Sequence, residues 1–301
     1  MDYKAPVEAY TGVVREVTIG KGNKSLKIGG ENILPLHFFD QGSNPNPLKF
    51  ALEVLDMKPE DWPEHAVEPF KDVISDPVSW AKKCQGFGVD AVSLFLMSTD
   101  PAVKNAPADK AAELAKKVAE AITVPLIVYG SGDEKKDVEV LSKVAEVCDG
   151  MNLLIGPVLK ENYEAVGRAI LDHGHTAIAQ SPLDINLLKE LNVKLSKIFP
   201  PDRIVIDPLS SALGYGMEYS FSLIERVKQI GVITKDSMTM MPIIANLGVE
   251  CWKTKQAKEN KKQGLLWEGM TALSLLLAGA NIIVLRHPET LKLIKETIGA
   301  R

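Results

Sequence analysis

The sequence has 301 residues, of which 46% are hydrophobic and 25% charged, and its formal net charge is −4. That length suits one α/β barrel, and the composition is that of an ordinary chain with enough apolar residues to fill a core. The slight negative charge offers no attraction to nucleic acid or to an anionic membrane, which excludes both as expected partners.

The N-terminus, MDYKAPVEAY, lacks the basic start and the apolar core of a signal peptide. No uncharged run approaches the ~18 apolar residues of a membrane span. We therefore expect a cytoplasmic protein without a membrane segment.

A β-hairpin is predicted near the N-terminus. The segment VVREVTIGKGNKSLKIGG, from Val13 to Gly30, alternates in polarity and turns at Lys21–Asn23. We expect residues 1–32 to form an extension that closes the bottom of a barrel, and residues 33–301 to form the barrel itself.

Eight short apolar or β-branched runs then alternate with segments of helical period. The predicted strands are Ile33–Asp40, Ala91–Met97, Pro125–Gly130, Met151–Gly156, Thr176–Gln180, Arg203–Asp207, Met241–Asn246 and Asn281–Arg286. Eight such units without a second zone of composition predict a (β/α)8 TIM barrel. The alternative is a doubly wound sheet, which would usually show fewer strands and a glycine-rich first turn, whereas the first turn here reads FFDQGSNPNP.

The connection after the first predicted strand, Gln41–Asp76, is longer than most loops and is expected to contain structure of its own. Its segment NPLKFALEVLD is predicted as a helix with Pro47 in the first turn.

Function in such barrels lies on the loops that follow the strands. No strand-end cluster of His and carboxylates suits a metal, and no strand-end lysine suits a Schiff base. Cys84, Cys148 and Cys251 are too scattered to hold zinc or an iron–sulfur cluster. Asp133 and Asp184 have a competing interpretation as helix N-caps. We therefore predict no catalytic residue and no metal site in this chain.

The loop after the sixth predicted strand, DPLSSALGYG from Asp207 to Gly216, is mostly neutral. It offers hydroxyl groups and glycines, which suit a ligand rich in amides or rings better than acid–base chemistry. Asp207, beside Pro208, is expected to hold the loop by accepting backbone N–H bonds.

Three motifs, in order along the chain, resemble those of the corrinoid iron–sulfur protein small subunit, the delta subunit of the carbon monoxide dehydrogenase/acetyl-CoA synthase system. They are ENILPLHFFDQGSNPNPLKFALEVLD from Glu31, DPLSSALGYGMEYSFSLIERV from Asp207 and NLGVECWKTK from Asn246. The resemblance implies a barrel that forms a heterodimer with a larger subunit, which holds an iron–sulfur cluster domain and a cobalamin-binding domain.

In that family, the resemblance further implies, cobalt accepts a methyl group from methyltetrahydrofolate through a separate methyltransferase. The methyl group passes to acetyl-CoA synthase in the anaerobic reductive acetyl-CoA (Wood–Ljungdahl) pathway. The corrinoid would be shared with the large subunit and no iron–sulfur cluster would lie in this chain, so we expect a non-catalytic subunit rather than an independent enzyme.

We expect the corrinoid to face the rim at the carboxyl ends of the strands. The predicted rim residues are Asp207, Ser210, Ser211, Gly214, Tyr215, Gly216, Asn246, Asp40 and Asn44. Trp252, Lys253 and Lys255, in the loop after the seventh predicted strand, are predicted to contact a partner protein.

Two other functions remain open from the residues. In a stand-alone pterin-dependent methyltransferase, also a (β/α)8 barrel, Asp40, Asp207 and Asn246 would bind the pterin. A metal hydrolase on the same fold is disfavoured by the positions of the histidines, among them His37 inside the first predicted strand and His287 just after the eighth.

Overall fold

The structure, a computed structural model, describes residues 7–36 and 40–299. Near the N-terminus, β1 (Val17–Ile19) and β2 (Leu26–Ile28) pair antiparallel around a 3-10 turn at Gly22–Lys24. The hairpin predicted from the sequence is therefore present.

The hairpin contacts the chain just before the barrel strands begin. The backbone N–H of Gly20 donates to the carbonyl of Asn152 over 2.7 Å, and that of Arg15 donates to the carbonyl of Met240 over 2.7 Å. Glu31, three residues after β2, forms a buried ion pair with Lys228, with 2.5 Å between Oε1 and Nζ. The same Nζ also donates to Oδ1 of Asn281. The division of the chain at residue 32 stays a prediction.

Eight parallel strands form the central sheet. They are β3 (Lys49–Leu55), β4 (Ala91–Phe95), β5 (Leu126–Tyr129), β6 (Leu154–Val158), β7 (Thr176–Gln180), β8 (Ile204–Asp207), β9 (Ile244–Asn246) and β10 (Ile282–Leu285). Their order is β8-β7-β6-β5-β4-β3-β10-β9. A bridge between Ile206 and Ile243 joins the outer strands and closes the sheet into a barrel.

The described helices follow the strands in the alternating order that the sequence predicted. They are α1 (Glu64–Val67), α2 (Pro77–Gly86), α3 (Ala108–Ala121), α4 (Glu134–Val147), α5 (Tyr163–Asp172), α6 (Ile185–Leu195), α7 (Met217–Thr234), α8 (Gly248–Trp252), α9 (Lys255–Glu259), α10 (Lys261–Ala278) and α11 (Pro288–Ile298). The predicted (β/α)8 barrel is confirmed, with α1, α8 and α9 lying in connections before the helix that completes each unit.

The first barrel strand lies later in the chain than predicted. Strand β3 (Lys49–Leu55) occupies the segment predicted as a helix, and no described part of 33–40 is in a strand; residues 37–39, including His37, lie outside the described residues. Six consecutive residues of β3 are buried, because barrel strands are covered on both faces. A short apolar run of that kind has no alternation to distinguish it from a helix, and Ala, Leu and Glu favour the helix by propensity.

Candidate functional site

The carboxylate of Asp207 lies inside the barrel at the end of β8 and is 2% exposed. Its Oδ2 accepts hydrogen bonds from the Tyr129 hydroxyl over 3.1 Å and from Gln180 Nε2 over 2.9 Å. Its Oδ1 accepts the backbone N–H of Leu209 over 2.9 Å. Burial raises the pKa of the Asp207 carboxyl above its usual range. Asp207 therefore connects β5, β7 and β8 to the loop that follows β8. It holds this loop in place and does not present its carboxylate at the surface.

A buried ion pair occupies another part of this end of the barrel, where the strands finish. Arg286, just after β10, makes two 3.0 Å hydrogen bonds to the carboxylate of Glu53 on β3. Its guanidinium lies 3.9 Å from the ring centroid of Trp62, in the connection after β3. Both members of the ion pair are buried, and the pair fixes this part of the rim.

The loop after β8 has a fixed shape although it contains no regular structure. The backbone N–H of Ser211 donates to the Ser220 hydroxyl of α7 over 2.9 Å. On α10, Trp267 donates to the carbonyl of Leu213 over 2.8 Å and Thr271 accepts the N–H of Leu213 over 3.1 Å. Helices α7 and α10 therefore hold one side of the loop by hydrogen bonds, and the other side of the loop faces solvent.

Glycines allow the turn at the end of this loop. Gly214 has φ +74° and Gly216, which immediately precedes α7, has φ +102°, a region that side chains with a Cβ rarely adopt. Between them Tyr215 is 52% exposed, and its hydroxyl donates to Gln256 of α9 over 3.1 Å. The loops after β8 and β9 are thereby joined at the rim.

Several buried polar atoms at this end of the barrel have no hydrogen-bond partner among the described residues. Two of them are Oγ of Ser210, on the loop after β8, and Oδ1 of Asn246, at the end of β9. Such an atom costs about 1–3 kcal/mol when it stays unpaired. The rim can therefore gain stability from a ligand that supplies neutral donors, and Leu209, 41% exposed, adds an apolar contact beside them.

Asp40 and Asn44 do not share this rim, contrary to the sequence prediction. Asp40 accepts a 2.8 Å hydrogen bond from Tyr10, which packs against a cluster containing Val232, near the C-terminal end of α7. Asn44 lines a small cavity with Asn281, which precedes β10. Both lie where the strands begin, because the strand they were expected to follow comes after them in the chain.

The three residues predicted to contact a partner divide between core and surface. Trp252 is 1% exposed, and its ring stacks on that of His287 with centroids 5.5 Å apart. Such a buried ring does not fit the prediction that it anchors an interface. Lys253 and Lys255 are exposed, and each forms an ion pair with a nearby residue, Glu250 and Glu259 respectively. Their predicted contact with a partner stays a prediction.

Other polar residues near the rim have structural roles. Asp133 accepts the N–H of Lys136 over 2.7 Å and Asp184 that of Asn186 over 2.7 Å, so both are helix N-caps. His287 is buried and accepts the N–H of Glu289 at the start of α11. Burial lowers the pKa of its imidazole to about 4.

The three cysteines lie on different elements, on α2, at the C-terminal end of α4 and on α8. Cys84, Cys148 and Cys251 are all buried, and burial raises the pKa of each thiol. Within residues 7–36 and 40–299, no group of three or more His, Cys, Asp or Glu side chains is placed to hold a metal ion. None of the helices in these ranges has the length and apolar character needed to cross a lipid bilayer.

The sequence prediction missed the supporting residues of the site. Tyr129 and Gln180 stand at strand ends, but nothing local indicates that both donate to Asp207. Glu53 and Arg286 are 233 residues apart in sequence, so their pairing has no local pattern. The one available signal is an acid inside the apolar run KFALEVL, since a buried carboxylate needs a partner.

Comparison with known proteins gives consistent matches along nearly the whole chain. A family model described as the CO dehydrogenase/acetyl-CoA synthase delta subunit matches residues 16–297. The acetyl-CoA decarbonylase/synthase complex subunit delta of Methanopyrus kandleri is 34% identical over 304 residues, which cover 95% of this chain and 75% of that protein. The corresponding subunit of Methanocaldococcus jannaschii is 33% identical over 311 residues, 98% of this chain and 76% of that protein.

Among solved structures, the 7,8-dihydropteroate synthase of Vibrio fischeri is similar to this barrel, with a TM-score of 0.60. The similarity covers 90% of this chain and 99% of that chain, at 13% sequence identity. At that identity the likeness shows the fold alone, and it agrees with the closed barrel described above.

Proposed function

Because this chain belongs to the CO dehydrogenase/acetyl-CoA synthase delta-subunit family, we propose that it is the small subunit of a heterodimeric corrinoid iron–sulfur protein that carries methyl groups. The family predicted from three sequence motifs is confirmed by the family match. The methyl-carrying role, the corrinoid and the individual partners go beyond that match and form the proposal.

One observation carries the proposal for the corrinoid: the uncharged loop 208–217 is held rigidly at the rim and leaves Ser210 Oγ buried without a partner. A corrin ring has an apolar face and a margin of neutral amides. Neutral hydroxyl and amide groups suit that margin, because a charged group buried against it would lose its hydration. Ser210, Tyr215 and Asn246 would meet the amides, and Leu209 would contact the apolar face.

The chain's own residues would position the ligand rather than react with it. When bound, the corrinoid supplies the cobalt that accepts and releases the methyl group, and that chemistry belongs to the cofactor. Asp207 would keep the loop in place from inside the barrel. Leu209 and Tyr215 would exclude water from the side of the ligand that faces this subunit.

The partners in this proposal are the large subunit, a methyltetrahydrofolate methyltransferase and acetyl-CoA synthase. The large subunit would supply the iron–sulfur cluster and the cobalamin-binding domain, and assembly would take place in the cytoplasm. Lys253 and Lys255, with side-chain exposures of 57% and 79%, are available for contact with one of these proteins.

The alternative, a stand-alone pterin-dependent methyltransferase, relied on Asp40, Asp207 and Asn246 at one rim. Asp40 lies at the other end of the barrel, and Asp207 is enclosed by its protein partners. Methyl transfer from a methylated pterin to added free cobalamin by this chain alone would favour the alternative.

The proposal is tested in the heterodimer with the large subunit, using Tyr215→Ala combined with Asn246→Ala. We expect an intact heterodimer with weaker corrinoid retention or slower methyl transfer, since each lost hydrogen bond is worth about 0.5–1.5 kcal/mol. Phe87→Ala, an exposed aromatic after α2, is the control. An intact double variant with an unchanged corrinoid spectrum and unchanged rates in both directions would show that the loop does not face the cofactor.

A further inference from the structure

A small cavity of about 140 Å³ opens at the amino end of the barrel, where the strands begin, away from the rim described above. It lies between the segment after β2, the C-terminal end of α10 and the residues just before β3 and β10. Most of its wall is apolar and includes Leu34, Leu48, Leu276 and Ala280. The buried polar residues of the lining are Glu31, Lys228 and Asn281.

One carboxylate oxygen of Glu31 is left without a partner in this cavity. Glu31 is 6% exposed, and its Oε1 accepts hydrogen bonds from Lys228 Nζ over 2.5 Å and from Asn281 Nδ2 over 2.9 Å. Its Oε2 is buried and has no hydrogen-bond partner among the described residues. Burial acts to raise the pKa of Glu31, but the charge of Lys228 outweighs burial and holds that pKa below its usual range. The carboxylate therefore stays ionised, and Oε2 can only accept a hydrogen bond.

The mouth of the cavity is apolar. Leu36 and Leu277 line it and are 43% and 39% exposed. Leu36 has φ +64°, a left-handed conformation that a bulky side chain rarely adopts. The fold therefore presents two leucine side chains to solvent around a buried acceptor, and an apolar group that carries one donor would cover all three.

The size and charge of the cavity select one class of ligand. Its volume of about 140 Å³ is close to the roughly 150 Å³ that holds one benzene molecule in an apolar protein cavity. An anionic head group would be repelled by Oε2 of Glu31. An ammonium would lose its hydration against the leucines and lie near Lys228, which already neutralises Glu31. A neutral hydroxyl can donate to the charged Oε2 without bringing a second charge into the cavity.

We propose that this cavity binds one neutral hydroxyl group carried on an apolar body about the size of a benzene ring. The hydroxyl donates to Oε2 of Glu31, and the body covers Leu36 and Leu277. This site lies apart from the residues assigned to the corrinoid and does not depend on that assignment. The same chemistry is available from a free alcohol or phenol and from a tyrosine side chain of the large subunit, and the experiment separates these two sources.

The first arm titrates the full chain with four probes that share a benzene ring and differ in the head group: benzyl alcohol, toluene, benzylamine and benzoate. Binding is followed in proton–nitrogen correlation NMR spectra. The side-chain amide of Asn281 donates to Glu31, so its signals report on the carboxylate. We expect benzyl alcohol to bind about 10-fold more tightly than toluene, because it gains a hydrogen bond to a charged acceptor. Benzylamine and benzoate should bind more weakly than benzyl alcohol.

The variant Leu276→Phe adds volume to the cavity wall on α10, and Leu293→Phe, at an exposed position of α11, is the matched control. Leu276→Phe should abolish binding of benzyl alcohol, and the control should bind it as wild type does. If folded Leu276→Phe still binds benzyl alcohol as wild type does, the proposal is overturned. It is also overturned if wild type binds benzyl alcohol no more tightly than toluene, or if the Asn281 signals do not move. The wild-type results decide the matter even if Leu276→Phe does not fold.

The second arm measures assembly of this chain with the large subunit in the presence of saturating benzyl alcohol or of benzoate at the same concentration. If assembly is weakened by benzyl alcohol and not by benzoate, the hydroxyl in the complex belongs to a tyrosine of the large subunit, because the probe competes with that side chain. If assembly is unchanged by either probe, the site takes a free alcohol or phenol.

Discussion

The hydroxyl of Tyr129 donates a 3.1 Å hydrogen bond to Oδ2 of Asp207 across the barrel interior. Tyr129 is itself held by Phe95, whose ring is parallel to it at a centroid distance of 4.8 Å. The acid that begins the rim loop is thus fixed by residues of β4, β5 and β7. This links the barrel interior to the outward loop, because the other carboxylate oxygen of Asp207, Oδ1, accepts the N–H of Leu209.

Asp207→Asn should change the pH dependence of stability. Burial raises the folded-state pKa of Asp207, whereas the unfolded value is about 3.9. The folded state therefore binds the proton more tightly, and wild type gains stability as pH falls through the folded pKa toward about 3.9. Asn cannot titrate, so urea unfolding from pH 7.5 to 4.5 should show wild type gaining stability relative to the variant. A constant difference across this range would contradict the prediction.

His175 should make the opposite contribution in the same pH range. Its ring is buried, its Nδ1 accepts the N–H of Leu153 over 3.0 Å, and its Nε2 donates to the carbonyl of Ala145 over 3.0 Å. Burial lowers the pKa of His175 to about 4, against about 6.5 when unfolded. Stability is therefore lost as pH falls from about 6.5 to about 4, by roughly 3 kcal/mol from this residue.

The test for His175 compares unfolding free energies of wild type and His175→Gln at intervals between pH 7 and pH 4.5. The variant should be less stable at pH 7 but should lose less stability on acidification. Parallel pH profiles for the two proteins would show that the imidazole does not remain neutral in the folded state.

The barrel could be predicted from the sequence because seven of its strands are short apolar runs bounded by turns and helical segments. The exception is β3, because its Ala, Leu and Glu residues favour a helix by propensity, and its burial on both faces, which the other barrel strands share, leaves no alternation to outweigh that preference. The uncharged loop after Asp207 could also be recognised, since its serines and glycines are adjacent in the chain. By contrast, Trp252 lies in a lysine-rich segment that predicts a surface, while its ring packs between His65 and His287.

Glu53→Gln should be strongly destabilising. It keeps the shape of the side chain but leaves the buried guanidinium of Arg286 without its counter-charge. Removal of one partner of a buried ion pair typically costs about 3–5 kcal/mol. Glu250→Gln is the control, because its pair with Lys253 is largely exposed and should be worth less than about 1 kcal/mol. If denaturant unfolding shows that both variants lose a similar free energy of unfolding, the buried pair contributes no more to stability than the exposed pair, and the prediction is wrong.

Gly264 and Gly269 of α10 provide a matched pair for testing the packing of Trp252. A Cβ at Gly264 would lie 2.6 Å from Cζ3 of Trp252, whereas a Cβ at Gly269 would meet its nearest neighbour, Leu293, at an ordinary 3.5 Å. Either alanine gains about 1 kcal/mol of helix propensity. Overpacking against the fixed ring costs about 1–3 kcal/mol.

We therefore expect Gly264→Ala to lower the free energy of unfolding, and Gly269→Ala to leave it unchanged or raise it by up to about 1 kcal/mol. Thermal and urea unfolding of both variants measure the difference. Because the Trp252 ring stacks on His287 at the start of α11, the fluorescence of Gly264→Ala should also change in the folded state. If the two alanines have equal effects, the ring has room to move and the contact between α8 and α10 is looser than the structure indicates.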